Sequence, residues 1–122
     1  MSTHRARLSI EQEGPLAIVT FNDSRILDAI MIREIRGEFE TLVDEIGMHQ
    51  VLIDFDGVES LSSSAMGVLV SLRDRIRAKQ GRLMLAALSE DTRRLFSLTK
   101  LDTVFEIHAD REAALAAFRR RP

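Results

Sequence analysis

The stretch from Val51 to Leu88 constrains the fold more than any other part of the chain. Val51, Leu52, Ile53 and Phe55 form an apolar run broken only by Asp54, and Asp56-Gly57 then supplies a turn. So short a run, apolar toward both sides, reads as a strand with both faces covered. After a loop through Ser60 to Ser64, the residues Ala65, Val68, Leu69, Leu72 and Ile76 recur at helical spacing. Arg73, Asp74, Arg75 and Arg77 take the opposite side, and Gly81 marks the end. Leu83 to Leu88 is a second buried run. Strand, helix and strand joined by short loops call for a right-handed parallel crossover, so the middle of the chain is a βαβ unit.

The flanks extend it. Leu8 to Gln12 alternates apolar and polar, Gly14-Pro15 punctuates, and Leu16 to Phe21 follows, which reads as two strands joined by a tight turn. From Asp28, a natural N-cap, Ile32, Ile35, Phe39, Leu42, Val43 and Ile46 mark the apolar face of a helix that Gly47 stops. Gly37 inside it costs up to about 1 kcal/mol relative to Ala. Ser89 caps a short helix carrying Leu95, Phe96 and Leu98, with Glu90 and Asp91 at its positive end. Val104, Phe105 and Ile107 suggest an edge strand. Asp110 caps a last helix with Ala113, Leu115, Ala116 and Phe118, whose C-terminal end Arg119 to Arg121 suit. With no repeat or linker, the expectation is one α/β domain over residues 1–122, its core spanning roughly 8–118. A mixed, mainly parallel sheet of about four to five strands would carry about four helices.

Composition closes several functional classes. Seventeen basic residues stand against nineteen acidic ones, a formal net charge of −2, and no basic block lies beside aromatics that could stack on bases. Nucleic acid is therefore not expected as a partner. The absence of cysteine removes disulfides, thiolate metal ligands and a cysteine nucleophile. His4, His49 and His108 lack the spacing of a metal pair, so no metal is expected. Met1 to Gln12 lacks the apolar stretch of a signal peptide, and no run approaches the ~20 residues of a membrane span. A cytoplasmic protein without membrane insertion fits these features. The methionines and phenylalanines fall at core-like spacings and point to no cofactor.

The chemistry concentrates in Leu61-Ser62-Ser63-Ser64-Ala65-Met66-Gly67, where a central strand hands over to a helix. Loops after strand C-termini are where α/β proteins place function. Free N–H groups and the positive end of the helix suit a phosphate on one of these serines. Serine is also simply a good N-cap, but three in a row exceed what one cap needs. Further along, Ser64, Gly67, Ser71 and Asp74 fall three and four residues apart, a small polar stripe a partner could approach closely, or an ordinary solvated face.

Val51-Leu52-Ile53-Asp54-Phe55-Asp56-Gly57-Val58, running into Ser63-Ser64-Ala65-Met66-Gly67-Val68-Leu69, resembles the STAS signature of anti-sigma-factor antagonists. Leu98-Thr99-Lys100-Leu101-Asp102, Val104-Phe105-Glu106-Ile107 and Glu112-Ala113-Ala114-Leu115 resemble that family's C-terminal half. The resemblance implies a STAS fold and a partner-switching role. A GHKL-type anti-sigma factor that is also a serine kinase is captured by the unmodified antagonist, phosphorylates the first serine of Asp-Ser-Ser-Gly and is released, and a PP2C-type phosphatase resets the switch. Carried over, that serine is Ser63, with Ser62 and Ser64 as alternatives. Here Ser62 stands in place of the family's Asp and Ala65 in place of its first Gly. The family's acidic residue after the second strand corresponds to Asp23 or Asp28, each of which also reads as ordinary turn or cap chemistry. The expected partner surface comprises Asp23, Ser62, Ser64, Gly67, Ser71 and Asp74.

This mechanism needs no catalytic group or cofactor in the chain, and none is expected. The G-x-S-x-G elbow of serine hydrolases is absent around Ser63. The other reading is an unphosphorylated STAS scaffold or accessory subunit, of the stress-signalling or lipid-transport kind.

Overall fold

The computed structural model describes residues 6–120. Arg121 and His4 lie outside the described residues. Strands β1 (Leu8–Glu13) and β2 (Leu16–Phe21) form the expected hairpin, and a two-residue strand β3 (Arg25–Ile26) precedes helix α1 (Ala29–Glu40). Then come β4 (Gln50–Asp54), β5 (Ser60–Leu61), α2 (Ser63–Ala78), β6 (Arg82–Ala86), α3 (Glu90–Leu98), β7 (Glu106–His108) and α4 (Arg111–Arg119). The main sheet has the order β1-β2-β4-β6-β7, antiparallel between β1 and β2 and parallel from there on. This is the mixed, mainly parallel sheet that the strand and helix alternation predicts. Gly14 at φ +60, followed by a proline whose φ is fixed negative, makes the hairpin a type II′ turn, whose twist matches that of the strands.

Alternation along each strand divides the core between the two faces. Ala17, Val19, Val51, Ile53, Leu83 and Leu85 face a cluster completed by Ile35 and Phe39 of α1, Leu69, Leu72 and Ile76 of α2, and Phe96 of α3. Leu16, Ile18, Leu52, Met84 and Ala86 face Ala114, Leu115 and Phe118 of α4. At roughly 25 cal/mol per Å² of apolar surface removed from water, this two-sided burial dominates the stability of the fold.

The ends of elements depart from expectation in four places. Helix α1 finishes in a π turn over Thr41–Glu45, with the N–H of Ile46 donating to Thr41 O at 2.9 Å. That wider turn rotates Ile46 off the apolar face, and it is 63% exposed instead of buried. Leu98, at the end of α3, is exposed, as is Ala116, whereas Ala114 takes the core position. The edge strand starts at Glu106 because Leu101–Thr103 forms a 3₁₀ turn and the N–H groups of Val104 and Phe105 both donate to Leu101 O. Gly81 is not what ends α2. Gln80 takes the left-handed conformation, and Gly81 is required because a Cβ there would lie 2.0 Å from His49 O. Gly37, by contrast, faces open space, and α1 carries its cost without a packing reason.

Candidate functional site

The serine loop is tied down by a small sheet that sequence periodicity does not reveal. Strands β3 and β5 pair in parallel, Arg25 with Ser60 and Ile26 with Leu61. The Glu59 N–H donates to Ser24 O at 2.7 Å, and the Ser62 N–H donates to Ile26 O at 3.1 Å. The loop between β2 and α1 and the loop before α2 thus form one unit. Two-residue strands carry too few positions for an alternation to register.

Ser62 is the N-cap of α2, its Oγ accepting from the Ala65 N–H at 3.1 Å. Serine and aspartate rank alike as caps, so Ser62 supplies without a charge the cap that an aspartate could supply at this position. Ala65 is buried and lines an apolar space with Phe21, Ile26, Leu61, Val68 and Leu69, so its methyl adds packing where the family has glycine. Ser63 and Ser64 open the helix, both exposed and neither hydroxyl hydrogen-bonded among the described residues.

Gly67, Ser71 and Asp74 are exposed along the same helix, as the spacing predicts. A Cβ at Gly67 would meet nothing within 4 Å. Ser64 and Ser71 border α1: Ser64 shares a concavity with Leu27, Arg33 and Arg36, and Ser71 shares another with Arg36 and Arg75. Asp74 lies farther down and pairs with Arg73 at 3.5 Å, while Arg73 Nε donates to Val104 O at 3.0 Å.

Asp23 is half-buried in the turn after β2, and its carboxylate accepts from Arg7 at 3.2 Å. Arg7 also donates to Glu34 at 2.8 Å, and the two carboxylates, Glu34 first, hold its guanidinium above its ordinary pKa. Asp28 caps α1 by accepting from the Met31 N–H at 3.1 Å. The cap reading of Asp28 therefore holds, whereas the Asp23 side chain is engaged by Arg7 and makes no turn hydrogen bond among the described residues.

Two features escape sequence reasoning. Arg33 and Arg36 are an i, i+3 pair on the polar side of α1, visible as such, but nothing local places them beside Ser64. Asp54, the charge that interrupts the central strand, is 6% exposed; it accepts from Arg111 Nε at 2.8 Å and from the Asp56 N–H at 3.0 Å. It thereby fastens the start of α4 to the turn that leads toward the serine loop. Among the described residues no cluster of three or more His, Asp or Glu side chains is arranged to hold a metal ion, and no helix is long and apolar enough to cross a membrane.

Comparison with known proteins agrees with this geometry. BtrV of Bordetella bronchiseptica, provisionally named an anti-sigma factor antagonist, is 27% identical over 94 residues, 77% of this chain and 80% of its own. In fold, an anti-sigma factor antagonist from Mycobacterium paratuberculosis superposes with a TM-score of 0.80 at 22% identity, over 92% of each chain. The phosphorylated form of SpoIIAA, a Bacillus cell fate determinant, gives a TM-score of 0.71 at 18% identity, covering 91% of this chain and 98% of that one. Residues 7–114 match the family model of the STAS domain, and it is to the STAS domain family that this chain belongs.

Proposed function

We propose that the chain is an anti-sigma factor antagonist that binds a GHKL-type anti-sigma factor kinase over the Ser62 to Ser64 loop and the exposed flank of α2, including Gly67 and Ser71. Phosphorylation of Ser63 ends the complex, and a PP2C-type phosphatase restores it, in the cytoplasm where nucleoside triphosphate is available. The observation that carries this reading is Ser63 itself: an exposed, unbonded hydroxyl at the first position of a sixteen-residue helix, on a loop anchored by the β3–β5 pair.

A phosphate there adds about −1.5 to −2 charges beside the positive end of α2, which the chain's own fold accommodates. A partner seated on the same surface would have to desolvate that charge, which supplies the reason for release. The modification therefore changes docking while leaving the fold standing.

The test is affinity purification from the native cells with wild type and Ser63→Asp as baits, followed by mass spectrometry of partners and phosphosites. Wild type should recover a kinase-type regulator that Ser63→Asp loses. Identical partners for both baits, with no phosphate, would replace the switch with a constitutive scaffold.

A further inference from the structure

Between the N-terminal turns of α1 and α2 lies a concavity of about 220 Å³ lined by Leu27, Ala29, Ile32, Arg33, Arg36 and Ser64. Arg33 and Arg36 are exposed, and neither side chain has a hydrogen bond or ion pair among the described residues. The acids of α1 are engaged elsewhere: Glu34 by Arg7, Glu38 by the N–H groups of Arg7 and Leu8, and Glu40 by Arg75. Two guanidinium charges are thus left uncompensated on a chain whose net charge is −2. The hydroxyl of Ser64 stands on the rim of that pocket with no partner of its own among the described residues. Ser63, one residue back and therefore roughly 100° around the helix, does not line it.

We infer that Ser64 is a second phosphoacceptor and that its phosphoryl group is held within the chain by Arg33 and Arg36, an assignment that rests on reading this loop as a phosphate switch. Ser64 Oγ forms a bond to the γ-phosphorus of a nucleoside triphosphate carried by a protein kinase. The bond to the departing nucleoside diphosphate breaks, and the hydroxyl proton passes to a base on the kinase. Guanidinium forks match phosphoryl oxygens in pairs, and the free N–H groups of the first turn of α2 add donors. The two serines then act differently. A phosphate on Ser63 stands toward a docking partner, whereas one on Ser64 fills the groove between α1 and α2 and pins the two helices together.

Genetically encoded phosphoserine at position 64 or 63 of the full chain, followed by ³¹P NMR titration, tests the assignment. Each form is compared with native arginines, with Arg33→Gln plus Arg36→Gln, and with Arg33→Lys plus Arg36→Lys. With the arginines present, the second ionisation of the Ser64 phosphate should fall about one pH unit below its value in the glutamine pair. The lysine pair should keep most of that shift, and the Ser63 phosphate should respond little to either pair. Equal titration of the Ser64 phosphate with arginines and glutamines overturns the pocket's role, and so does an equal shift at Ser63. Circular dichroism verifies folding of the variants, whose changed residues are exposed.

Phosphosite mapping of the chain from its own cells supplies the second arm. Phosphate on Ser64 supports the inference. Phosphate confined to Ser63 overturns Ser64 as a native site and leaves the proposed function intact. Phosphate on Ser64 alone, with unchanged partners for Ser63→Asp, does the opposite.

Discussion

The two faces of the sheet are held by different physics. Toward α1 and α2 the contact is almost wholly apolar, with Phe39, Phe55, Leu69 and Ile76 each at most 2% exposed. Toward α4 the apolar patch is smaller and is framed by ion pairs: Arg111 with Asp54 at 2.8 Å and Glu11 at 3.1 Å, Arg119 with Glu13 at 2.6 Å, and Arg82 with Glu106 at 2.6 Å. Arg82 also lies 6.0 Å from the Phe118 ring centroid, within cation–π range. Non-directional burial does most of the work of fixing α1 and α2, and the polar contacts they add, such as Glu34 with Arg7 and Glu40 with Arg75, leave the side chains of Ser63, Ser64, Arg33 and Arg36 free for binding. On the α4 side the charged groups are consumed in holding the helix.

Truncation inside the apolar face should be the most damaging change. Phe55→Ala is expected to cost about 3–5 kcal/mol in urea unfolding, because the cavity left beneath two helices cannot collapse fully. If the ionic face is the weaker support, Asp54→Ala should cost less, about 1–3 kcal/mol, since Arg111 is partly solvated and keeps Glu11. A loss from Asp54→Ala equal to that from Phe55→Ala would erase the distinction between the faces.

On the binding side, Ser62→Ala removes the cap of α2 and should cost about 1 kcal/mol, while Ser62→Asp should keep wild-type stability. Thermal or urea unfolding of both variants separates capping from any charge requirement at that position. Smaller still is the pH effect on the ionic face. Hydrogen bonds from Arg82, and secondarily His108, hold the Glu106 carboxyl below its ordinary range against the opposing effect of burial. A depressed carboxylate stabilises the fold fully above its unfolded value, near pH 4.3, and loses that contribution as pH falls through the lower native value. Glu106→Gln should therefore flatten the acid limb of stability by no more than about 1 kcal/mol, its side chain being partly solvated. Ser71→Arg should leave stability within about 0.5 kcal/mol and still weaken partner binding, as read by calorimetry; unchanged affinity would remove the α2 flank from the interface.

The sequence makes the large elements legible because their signals are periodic and local. The runs at Val51 to Phe55, Leu83 to Leu88 and Leu16 to Phe21 all supply strands of the sheet, the first ending at Asp54 and the second at Ala86, and Asp28, Ser89 and Asp110 each cap the helix they precede. What escapes is either too short for a period, as with Arg25-Ile26 against Ser60-Leu61, or depends on a neighbour far along the chain. Gln80 and Lys100 take the left-handed conformation without being glycine, and no local rule flags them. The same holds at the site. The three serines announce themselves, but the difference between Ser63 and Ser64 exists only once α1 is packed against α2.

The β3–β5 pairing bears on how fast a partner could come and go. Because Ser62 and Glu59 are already bonded to the chain segment before α1, the first turn of α2 is presented in one arrangement. A partner landing there has little of this surface to order, so association is governed by diffusion and charge, and changes at the serines register chiefly in residence time. A switch built on such a platform sets how long a complex lasts more than how often one forms.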